Sequence, residues 1–319
     1  MTIYILEGNM NTLIENLNHI LRGTISIVVY FKLKNGEVRL ADINNNVLPR
    51  ILTLYKNKIS EEIINKENLE LLKLSEMDER KNVIYKYDFD KDREPFLSMK
   101  QVVEDEEIKT FSISNDTLEN IDGIIAKISN SNHGIFLYTK FYPVNLIKPG
   151  KSINLFPSDH RLEMFDGKLI QITGKFDILR YNNEYYIKKH EILEKFYQFN
   201  DVITERAKSY FEEIIKIKII ENEAKLFSYL ENNPSRARKF IKVMASSLVI
   251  KKKIPKEQLI SFVSNNPKLK DNIETSEDKT KFKLKTNNHC NFFIKLLDDD
   301  FLKSELTQEE YEALAKNNV

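Results

Sequence analysis

The sequence predicts an α+β protein, with strands and helices mixed in its N-terminal part and helices dominating its C-terminal part. Two changes of hydrophobic period lead to this prediction. Over residues 134–189 apolar residues recur every two positions, which is typical of strands with one buried face. From residue 190 onward they recur mostly at helical spacing. The 319 residues exceed the usual size of one compact domain, so we expect one large or two coupled domains.

The first elements of the chain predict a helix, a hairpin and a second helix. Thr12 to Arg22 places its leucines and isoleucines on one helical face and ends before Gly23, a residue suited to a helix cap. Two β-rich runs then flank Asn35-Gly36, which predicts a hairpin closed by a type I′ turn. Residues 48–65 return to helical period, with Pro49 in the first turn, where it is tolerated.

Residues 85–129 are predicted to form short elements with one exposed loop between them. Residues 85–94 read as a strand followed by an acidic loop, and residues 108–112 as another strand. Residues 116–129 have apolar side chains at helical spacing, so we predict a helix there, with its buried stripe formed by Leu118, Ile121, Ile125 and Ile128.

From residue 131 onward the sequence predicts a β-meander followed by a helical part. Turn signals at Asp166-Gly167 and at Asn182-Asn183 separate short apolar runs, which is typical of a β-meander. A capping box at Thr307 and Glu310 predicts a final helix. We therefore divide the chain into an α/β N-terminal region, residues 1–130, and a second region, residues 131–319. The second region comprises the meander, residues 131–200, and a helical, basic part, residues 201–319.

Composition excludes several classes of protein. The chain contains no run of about 18 apolar residues, and its first residues lack the basic start of a signal peptide, so we expect a cytoplasmic protein. The single cysteine, Cys290, excludes a disulfide framework and a multi-cysteine zinc site. The five histidines lack ligand spacing, and the glycine-rich and nucleophile motifs of dinucleotide, P-loop and α/β-hydrolase enzymes are missing. We therefore predict no cofactor and no metal.

Charge is distributed unevenly along a chain whose net charge is only +1. Residues 61–122 contain 9 lysines and arginines against 18 aspartates and glutamates. Residues 201–260 contain 13 against 8. Surfaces of opposite sign on one protein favour different partners.

The strongest basic feature is a stretch of 21 residues with eight cations and no carboxylate. A solvated helix face normally mixes both signs, so crowding of one sign favours a polyanion as partner. Asn233-Pro234-Ser235 begins this helix and leaves backbone N–H groups near its first cations. A lysine-rich solvated face is the alternative. The cations are Arg236, Arg238, Lys239, Lys242, Lys251, Lys252, Lys253 and Lys256.

A second basic element alternates lysine with less polar residues over residues 279–286. Such alternation predicts a strand with four ammonium groups about 7 Å apart on one face, which repel each other unless anions lie nearby. The strand is a candidate phosphate-binding element, or else an edge strand that lysines protect from aggregation. The lysines are Lys279, Lys281, Lys283 and Lys285.

Asp88, Asp90 and Asp92 lie on one side of a strand-like segment in the acidic stretch. Together with Glu107 and Lys109 they have the residue types of a Mg²⁺-dependent nuclease, in which carboxylates hold the metal and a lysine stabilises phosphate charge. Because a Glu-x-Lys triplet is common in a chain rich in both residues, an exposed acidic loop is the alternative. In that case we predict that Asp88, Asp90 and Asp92 contact a basic protein partner.

Three segments of the second half resemble the bacterial DUF4868 family, which includes proteins of the Kiwa anti-phage defence system. They are FYPVNLIK at 141–148, FDILRYNNEYYIKKHEILEKFYQF at 176–199 and FIKLLDDDFLKSELTQEEYEALAKN at 293–317. The resemblance implies a cytoplasmic defence protein that binds DNA, works with a small integral membrane partner, and forms homodimers or higher homo-oligomers.

Sequence and resemblance together predict a non-catalytic DNA-binding effector. In this prediction the basic face captures invading DNA while the acidic surface holds the protein at the inner membrane through its partner. Two alternatives remain: a Mg²⁺-dependent nuclease that uses Asp88, Asp90 or Glu107, and a scaffold that only contacts other proteins.

Overall fold

The structure is a computed structural model that describes residues 10–77, 80–105, 107–131, 133–147, 154–158, 161–303 and 310–312. The chain divides into two compact units. We call Met1–Leu72 with Arg80–Tyr197 the sheet unit, and Lys73–Glu79 with Gln198–Val319 the helical unit. Strands predominate in the first and helices in the second, so the α+β prediction is confirmed.

The sheet unit contains twelve of the strands and four of the helices in the part of the chain described. The strands are β1 (Ser26–Leu33), β2 (Val38–Leu40), β3 (Glu70–Lys73), β4 (Val83–Lys86), β5 (Ile121–Ser129), β6 (Gly134–Lys140), β7 (Leu146–Ile147), β8 (Leu155–Ser158), β9 (Arg161–Met164), β10 (Leu169–Ile170), β11 (Ile178–Tyr181) and β12 (Glu184–Ile187). The helices are α1 (Met10–Arg22), α2 (Leu48–Ile59), α3 (Phe96–Glu104) and α4 (Glu191–Phe196).

One eight-stranded sheet forms the centre of this unit, in the order β2-β1-β5-β6-β11-β12-β4-β3. Neighbours from β2 through β4 pair antiparallel. Helix α1 contributes four buried leucines and isoleucines to the core, and α2 contributes Ile51, Tyr55 and Ile59. Helix α2 continues directly into one π-helical turn, Ser60–Ile64. The buried side chains make a continuous apolar cluster between the helices and the sheet.

Strand β5 replaces the helix that we predicted over residues 116–129. Six of its nine residues are buried, including Ile124, Ile125 and Ala126 in succession, because it lies between β1 and β6 and is covered on both faces. A strand buried on both faces loses the alternation that identifies strands, and its isoleucines then fall at helical spacing by coincidence. The helical assignment was therefore wrong.

The hairpin and the strands of residues 134–189 were predicted correctly, but these strands do not form one meander, because β6 pairs with β11 while β7 pairs with β10 and β8 with β9. Two further details differ. Only Gly36 has a positive φ, of 88°, so the turn after β1 is not of type I′, which requires positive φ at Asn35 as well. The strand predicted at residues 108–112 is reduced to a single bridge between Thr110 and Leu40. Helix α3, which follows the acidic loop, was not predicted.

Strands β8 and β9 form a separate two-stranded hairpin with an exposed apolar face. Leu155 lies opposite Met164, and Pro157 lies opposite Leu162, so these four side chains share one face. All four are exposed, with Leu162 at 64% of its full accessible area. On the other face Phe156 packs edge-on against Phe165.

The helical unit is arranged around α7. Its helices are α5 (Phe199–Ile215), α6 (Glu223–Glu231), α7 (Pro234–Ser246), α8 (Leu248–Lys251), α9 (Lys256–Asn265), α10 (Pro267–Lys270) and α11 (Asn287–Leu297). Helix α7 packs against α5, α6, α11 and the short 3₁₀ turn Leu74–Glu76, and buries Ala237, Phe240 and Ile241. The unit's short strands are β13 (Glu274–Thr275), β14 (Phe282–Lys283), β15 (Phe301–Lys303) and β16 (Glu310–Glu312).

The predicted final helix, with Thr307 as its N-cap and Glu310 in its first turn, was wrong at Glu310–Glu312, which form β16 and pair with β15. Thr307, the other half of the predicted capping box, lies outside the described residues. Among the described residues, none of the helices combines the length and the apolar character needed to cross a bilayer.

Candidate functional site

The basic stretch occupies α7, α8, the turn after α8 and the start of α9. The Asn233 side chain caps α7 and accepts from the backbone N–H groups of Ser235 and Arg236. These amides already have an acceptor, so side chains rather than the helix terminus are the means of holding an anion. The buried face of α7 faces its neighbouring helices, which leaves its lysines at partly exposed positions.

The two arginines of this stretch are engaged within the protein. The Arg236 guanidinium carbon lies 4.4 Å from the centre of the Tyr229 ring, a cation–π contact. The Arg238 Nη2 donates to Asn200 Oδ1 at 3.2 Å. Both side chains are half-buried, so they are less available to an external phosphate than the lysines that follow.

The lysines are the available charges of this stretch. None of Lys239, Lys251, Lys252, Lys253 and Lys256 forms an ion pair with a carboxylate of the residues described. Lys251, Lys252 and Lys253 are exposed, at the end of α8 and in the turn after it. We call Lys239, Lys242, Lys251, Lys252, Lys253 and Lys256 the basic surface.

The second basic element differs from its prediction. Phe282 and Leu284 are buried as expected, but only Phe282 and Lys283 are in a strand, and Lys279 lies in a turn with φ of 54°. The Lys283 Nζ lies 3.7 Å from a Glu221 carboxylate oxygen. Lys285 pairs with Glu274 at 2.5 Å. Glu221 and Glu274 thus neutralise two of the four lysines for which we predicted phosphate as the counter-charge.

The acidic loop joins β4 to α3. Tyr87 and Phe89 are buried, so the alternating Asp88, Asp90 and Asp92 lie on the outer side, with Asp90 and Asp92 exposed. The Asp90 Oδ1 accepts from the Asp92 backbone N–H at 3.0 Å, which stabilises the turn.

Glu107, the fourth carboxylate of the predicted nuclease site, is exposed, and its backbone N–H donates to Asp105 Oδ1. Within the described ranges, no three His, Cys, Asp or Glu side chains come together in a group that could hold a metal ion.

A buried polar network in the sheet unit was missed by the sequence analysis. Its members are Lys32, Asp122, Tyr138, Lys140 and Tyr197, which we call the Asp122 network. Lys32 and Lys140 both donate to the Asp122 carboxylate, Lys32 at 2.9 Å. Only 3% and 8% of the two lysine side chains are exposed, so Asp122 supplies a counter-charge that water cannot.

The sheet register explains how these charges meet. Gly123 lies opposite Lys32 on one side and opposite Lys140 on the other, so both lysines project from the same face. The register shifts between Lys32 and Leu33, which leaves Asp122 as the extra residue of a β-bulge. A bulge redirects a side chain, and here it places Asp122 beside the two lysines.

Two tyrosines complete the network. The Tyr138 hydroxyl shares a short hydrogen bond with the Tyr197 hydroxyl, and Tyr197 donates to Asp122 Oδ2 at 3.3 Å. A Cβ atom at position 123 would clash with the Tyr138 ring, so Gly123 provides the space that this ring occupies. Burial raises the pKa of both tyrosines, which keeps the hydroxyls protonated.

The electrostatics of Asp122 and Asp177 differ. Burial acts to raise the pKa of Asp122, but hydrogen bonds from Lys140 and Lys32 outweigh it, so this pKa is lowered. Burial raises the pKa of Asp177, although its Oδ2 accepts from the Lys140 backbone N–H at 2.8 Å. The network stays ionic at Asp122 and ties together β1, β5 and β6.

The two units define a class of protein: an α+β protein with a large antiparallel sheet, whose helical unit carries a lysine surface suited to polyanions. Comparison with known proteins then gives the family. The chain belongs to the family described as Kiwa protein KwaB-like, whose model matches residues 118–307. The resemblance noted in the sequence is thereby confirmed.

A curated relative supports the same assignment over nearly the full length of both chains. The chain is 29% identical over 311 residues to Kiwa protein KwaB of Escherichia coli O55:H7 (strain RM12579 / EPEC). The match covers 96% of this chain and 97% of that protein. No solved structure matches. The family region includes the sheet from β5 onward and the basic surface.

Proposed function

We propose that this protein is the DNA-binding effector of an anti-phage defence system and that it captures DNA by electrostatic attraction, without cutting it. Kinship with Kiwa protein KwaB supports the defence role. One observation supports DNA as the ligand: five lysines of the basic surface have no carboxylate partner among the described residues. Duplex DNA carries one negative charge per about 1.7 Å of its axis and is a natural partner for such a surface.

The chemistry of the surface supports sequence-independent binding. Lysine is a point charge on a flexible stem and neutralises a phosphate without the bidentate geometry that arginine uses to read guanine. Both arginines of this region are engaged by Tyr229 and Asn200. Release of counterions, rather than base contacts, should therefore supply most of the affinity.

The test is a binding assay with fluorescently labelled duplex DNA, carried out in EDTA and again in Mg²⁺. The proposal predicts equal affinity in both, with the DNA intact after prolonged incubation. Cleavage that needs Mg²⁺ would favour a nuclease that uses Asp88, Asp90 or Glu107. If neither binding nor cleavage occurs, the protein is a scaffold.

The acidic loop is the proposed contact with a small integral membrane protein of the same system, which would recruit this cytoplasmic protein to the inner membrane. Asp90 and Asp92 are exposed within a stretch of net charge −9. Such a surface is repelled by DNA and by anionic lipids. The cytoplasmic loops of membrane proteins are rich in lysine and arginine, so they complement it.

We also propose that the protein forms homodimers or higher homo-oligomers, and the β8–β9 hairpin supports this. Leu155, Pro157, Leu162 and Met164 make one wholly apolar, exposed face. A two-stranded hairpin is marginal in water on its own, and covering this face would stabilise it. A face without charges is complementary to itself, as two-fold pairing of identical surfaces requires.

A further inference from the structure

A groove in the helical unit combines an apolar lining with two lysines. It has a volume of about 460 Å³ and is lined by α5, α7, α8, α9 and α11 together with the segments after α5 and after α8. Ten of its thirteen lining residues are apolar, among them Ile217 just after α5, Ile250 of α8 and Leu259 of α9. Ile217 is 47% exposed, so apolar surface remains open to solvent. The volume falls within the range of small-molecule sites.

Charge at this groove is asymmetric. Lys253 and Lys256 line it, and neither forms an ion pair with a described carboxylate. Glu213 is the only carboxylate among its lining residues. The groove is therefore a mostly apolar channel with two available cations and one acid.

The turn that holds Lys253 is unusual. Lys253 has φ of 50°, in the left-handed region that side chains other than glycine adopt at a cost, and its N–H donates to the carbonyl of Ile250. The turn also contains Ile254 and Pro255, which line the groove. This backbone conformation brings a lysine to the edge of an apolar site instead of leaving it on an ordinary helix face.

We propose that this groove binds one molecule of an anionic amphiphile, a single alkyl chain with an acidic headgroup. The headgroup pairs with Lys253 and Lys256, and the chain lies along Ile217, Ile250 and Leu259. Glu213 repels a second anionic group, which fixes the orientation of the ligand. Nucleic acid has no alkyl group to fill an apolar groove, and a purely polar metabolite would leave it wet, so the lining selects a ligand with both characters.

The site has a regulatory consequence that rests on the proposed function. Lys253 and Lys256 also belong to the basic surface, so an anionic headgroup there neutralises two of its cations. We expect bound amphiphile to weaken DNA binding and to flatten its salt dependence, since each lost phosphate contact removes about 0.9 from the slope.

The experiment measures amphiphile binding directly, in the absence of DNA, so that its outcome is independent of the proposed function. Dodecyl phosphate, kept below its micellar concentration, is titrated into the full-length protein by calorimetry. The expected result is one site per chain. Dodecanol and ethyl phosphate, which each lack one half of the ligand, should bind at least tenfold more weakly.

Variants separate this groove from non-specific attraction. The double variant Lys253→Gln, Lys256→Gln and the single variant Ile217→Asp should each lose at least tenfold in affinity. The charge-matched control Lys251→Gln, Lys252→Gln should bind as the wild type does. Thermal unfolding of each variant shows whether it is folded. Ile217 is already half exposed, so its variant retains the test if the double lysine variant fails to fold.

Several results would overturn the proposal. They are no binding of dodecyl phosphate by the wild type, equal binding by the groove variants, or equal binding of dodecanol. Binding only to phosphatidylglycerol vesicles, with none to the monomeric amphiphile, would indicate a membrane surface instead. Binding of an acidic amphipathic peptide without any binding of dodecyl phosphate would indicate a protein partner.

Discussion

The Lys32 Nζ donates to Asp122 Oδ2 at 2.9 Å, between the neighbouring strands β1 and β5 of the sheet unit. Only 3% of the lysine side chain is exposed. Lys140 approaches the same carboxylate from the third strand. Buried charges are tolerated when they are paired and hydrogen-bonded, and they become costly when one partner is removed. Two buried lysines therefore share the Asp122 carboxylate, and Glu94 Oε2, 3.6 Å from the Lys32 Nζ, is a second and more distant partner of Lys32.

Asp122→Asn should destabilise the protein by about 3 to 5 kcal/mol, because the buried Lys140 then loses its Asp122 counter-charge and Lys32 keeps only the more distant Glu94, at 3.6 Å. Urea unfolding measures this loss. The control is Glu70→Gln, which removes an exposed ion pair with Arg80 and should cost less than about 1 kcal/mol. Equal, small losses in the two variants would contradict the role assigned to Asp122.

The contribution of Asp122 should depend on pH in a definite direction. Its pKa is lowered in the folded protein, so the unfolded chain binds the proton more readily. The stabilisation is complete above the ordinary aspartate pKa of about 3.9 and is lost as pH falls through the lower folded-state value. Asp177, whose pKa burial raises, acts in the opposite sense.

The measurement is the difference in unfolding free energy between the wild type and Asp122→Asn, from pH 7 down to pH 3. Because both proteins contain Asp177, its contribution largely cancels in the difference. We expect a constant difference above about pH 5 and a smaller one below about pH 4. A difference that grows on acidification would show that Asp122 is not held as a carboxylate.

Sequence reasoning found the features whose signals are local. The strands from β6 to β12 were predicted because alternation and turn residues are properties of neighbouring positions, but their pairing into three sheets was not. Strand β5 was not, because burial on both faces removes that alternation. The Asp122 network was out of reach for a different reason: Lys32 and Asp122 are 90 positions apart, and only the bulge brings the carboxylate to the lysine.

The candidate site shows the same division. A run of cations without carboxylates could be counted along the chain, so the basic stretch was identified. Which cations have partners depends on tertiary structure: Lys283 and Lys285 meet Glu221 and Glu274, whereas Lys252 meets no described carboxylate. Sequence could therefore predict a basic surface but not which of its charges remain available.

Substitution of the hairpin face should change the oligomeric state. By light scattering, we expect the wild type to have at least twice the chain mass of 37.6 kDa. The double variant Leu162→Asp, Met164→Asp should approach the mass of a single chain. Two buried carboxylates facing their symmetry copies would repel each other. The control is Ile113→Asp, which changes an apolar residue outside the hairpin that is 86% exposed; it should leave the oligomer unchanged. A wild type that is monomeric at every concentration would refute the homodimer.

Neutralising the acidic loop should affect partner binding and spare DNA binding. Asp88→Asn, Asp90→Asn, Asp92→Asn keeps an oxygen at position 90 to accept from residue 92, so the turn should persist. We expect less of this protein in membranes from cells that contain the partner, with DNA affinity equal or slightly higher. This is measured by membrane fractionation and by DNA titration.

The control for that variant has the same charge change at exposed positions outside the loop: Glu191→Gln, Glu257→Gln, Glu277→Gln. It should remain with the membranes as the wild type does. Loss of DNA binding together with full membrane recovery in the loop variant would reverse the assignment of the two surfaces.

The most direct test of the central claim is the salt dependence of DNA affinity in Lys239→Gln, Lys251→Gln, Lys252→Gln, none of which lines the amphiphile groove. The control is Lys283→Gln, Lys285→Gln, whose lysines pair with Glu221 and Glu274. If the basic surface holds phosphates, the slope of log K against log salt should flatten by roughly 2 to 3 in the triple variant, since each lost contact removes about 0.9. The control should change little. An unchanged slope in a folded triple variant, or an equal change per lysine in the control, would contradict electrostatic capture of DNA by this surface.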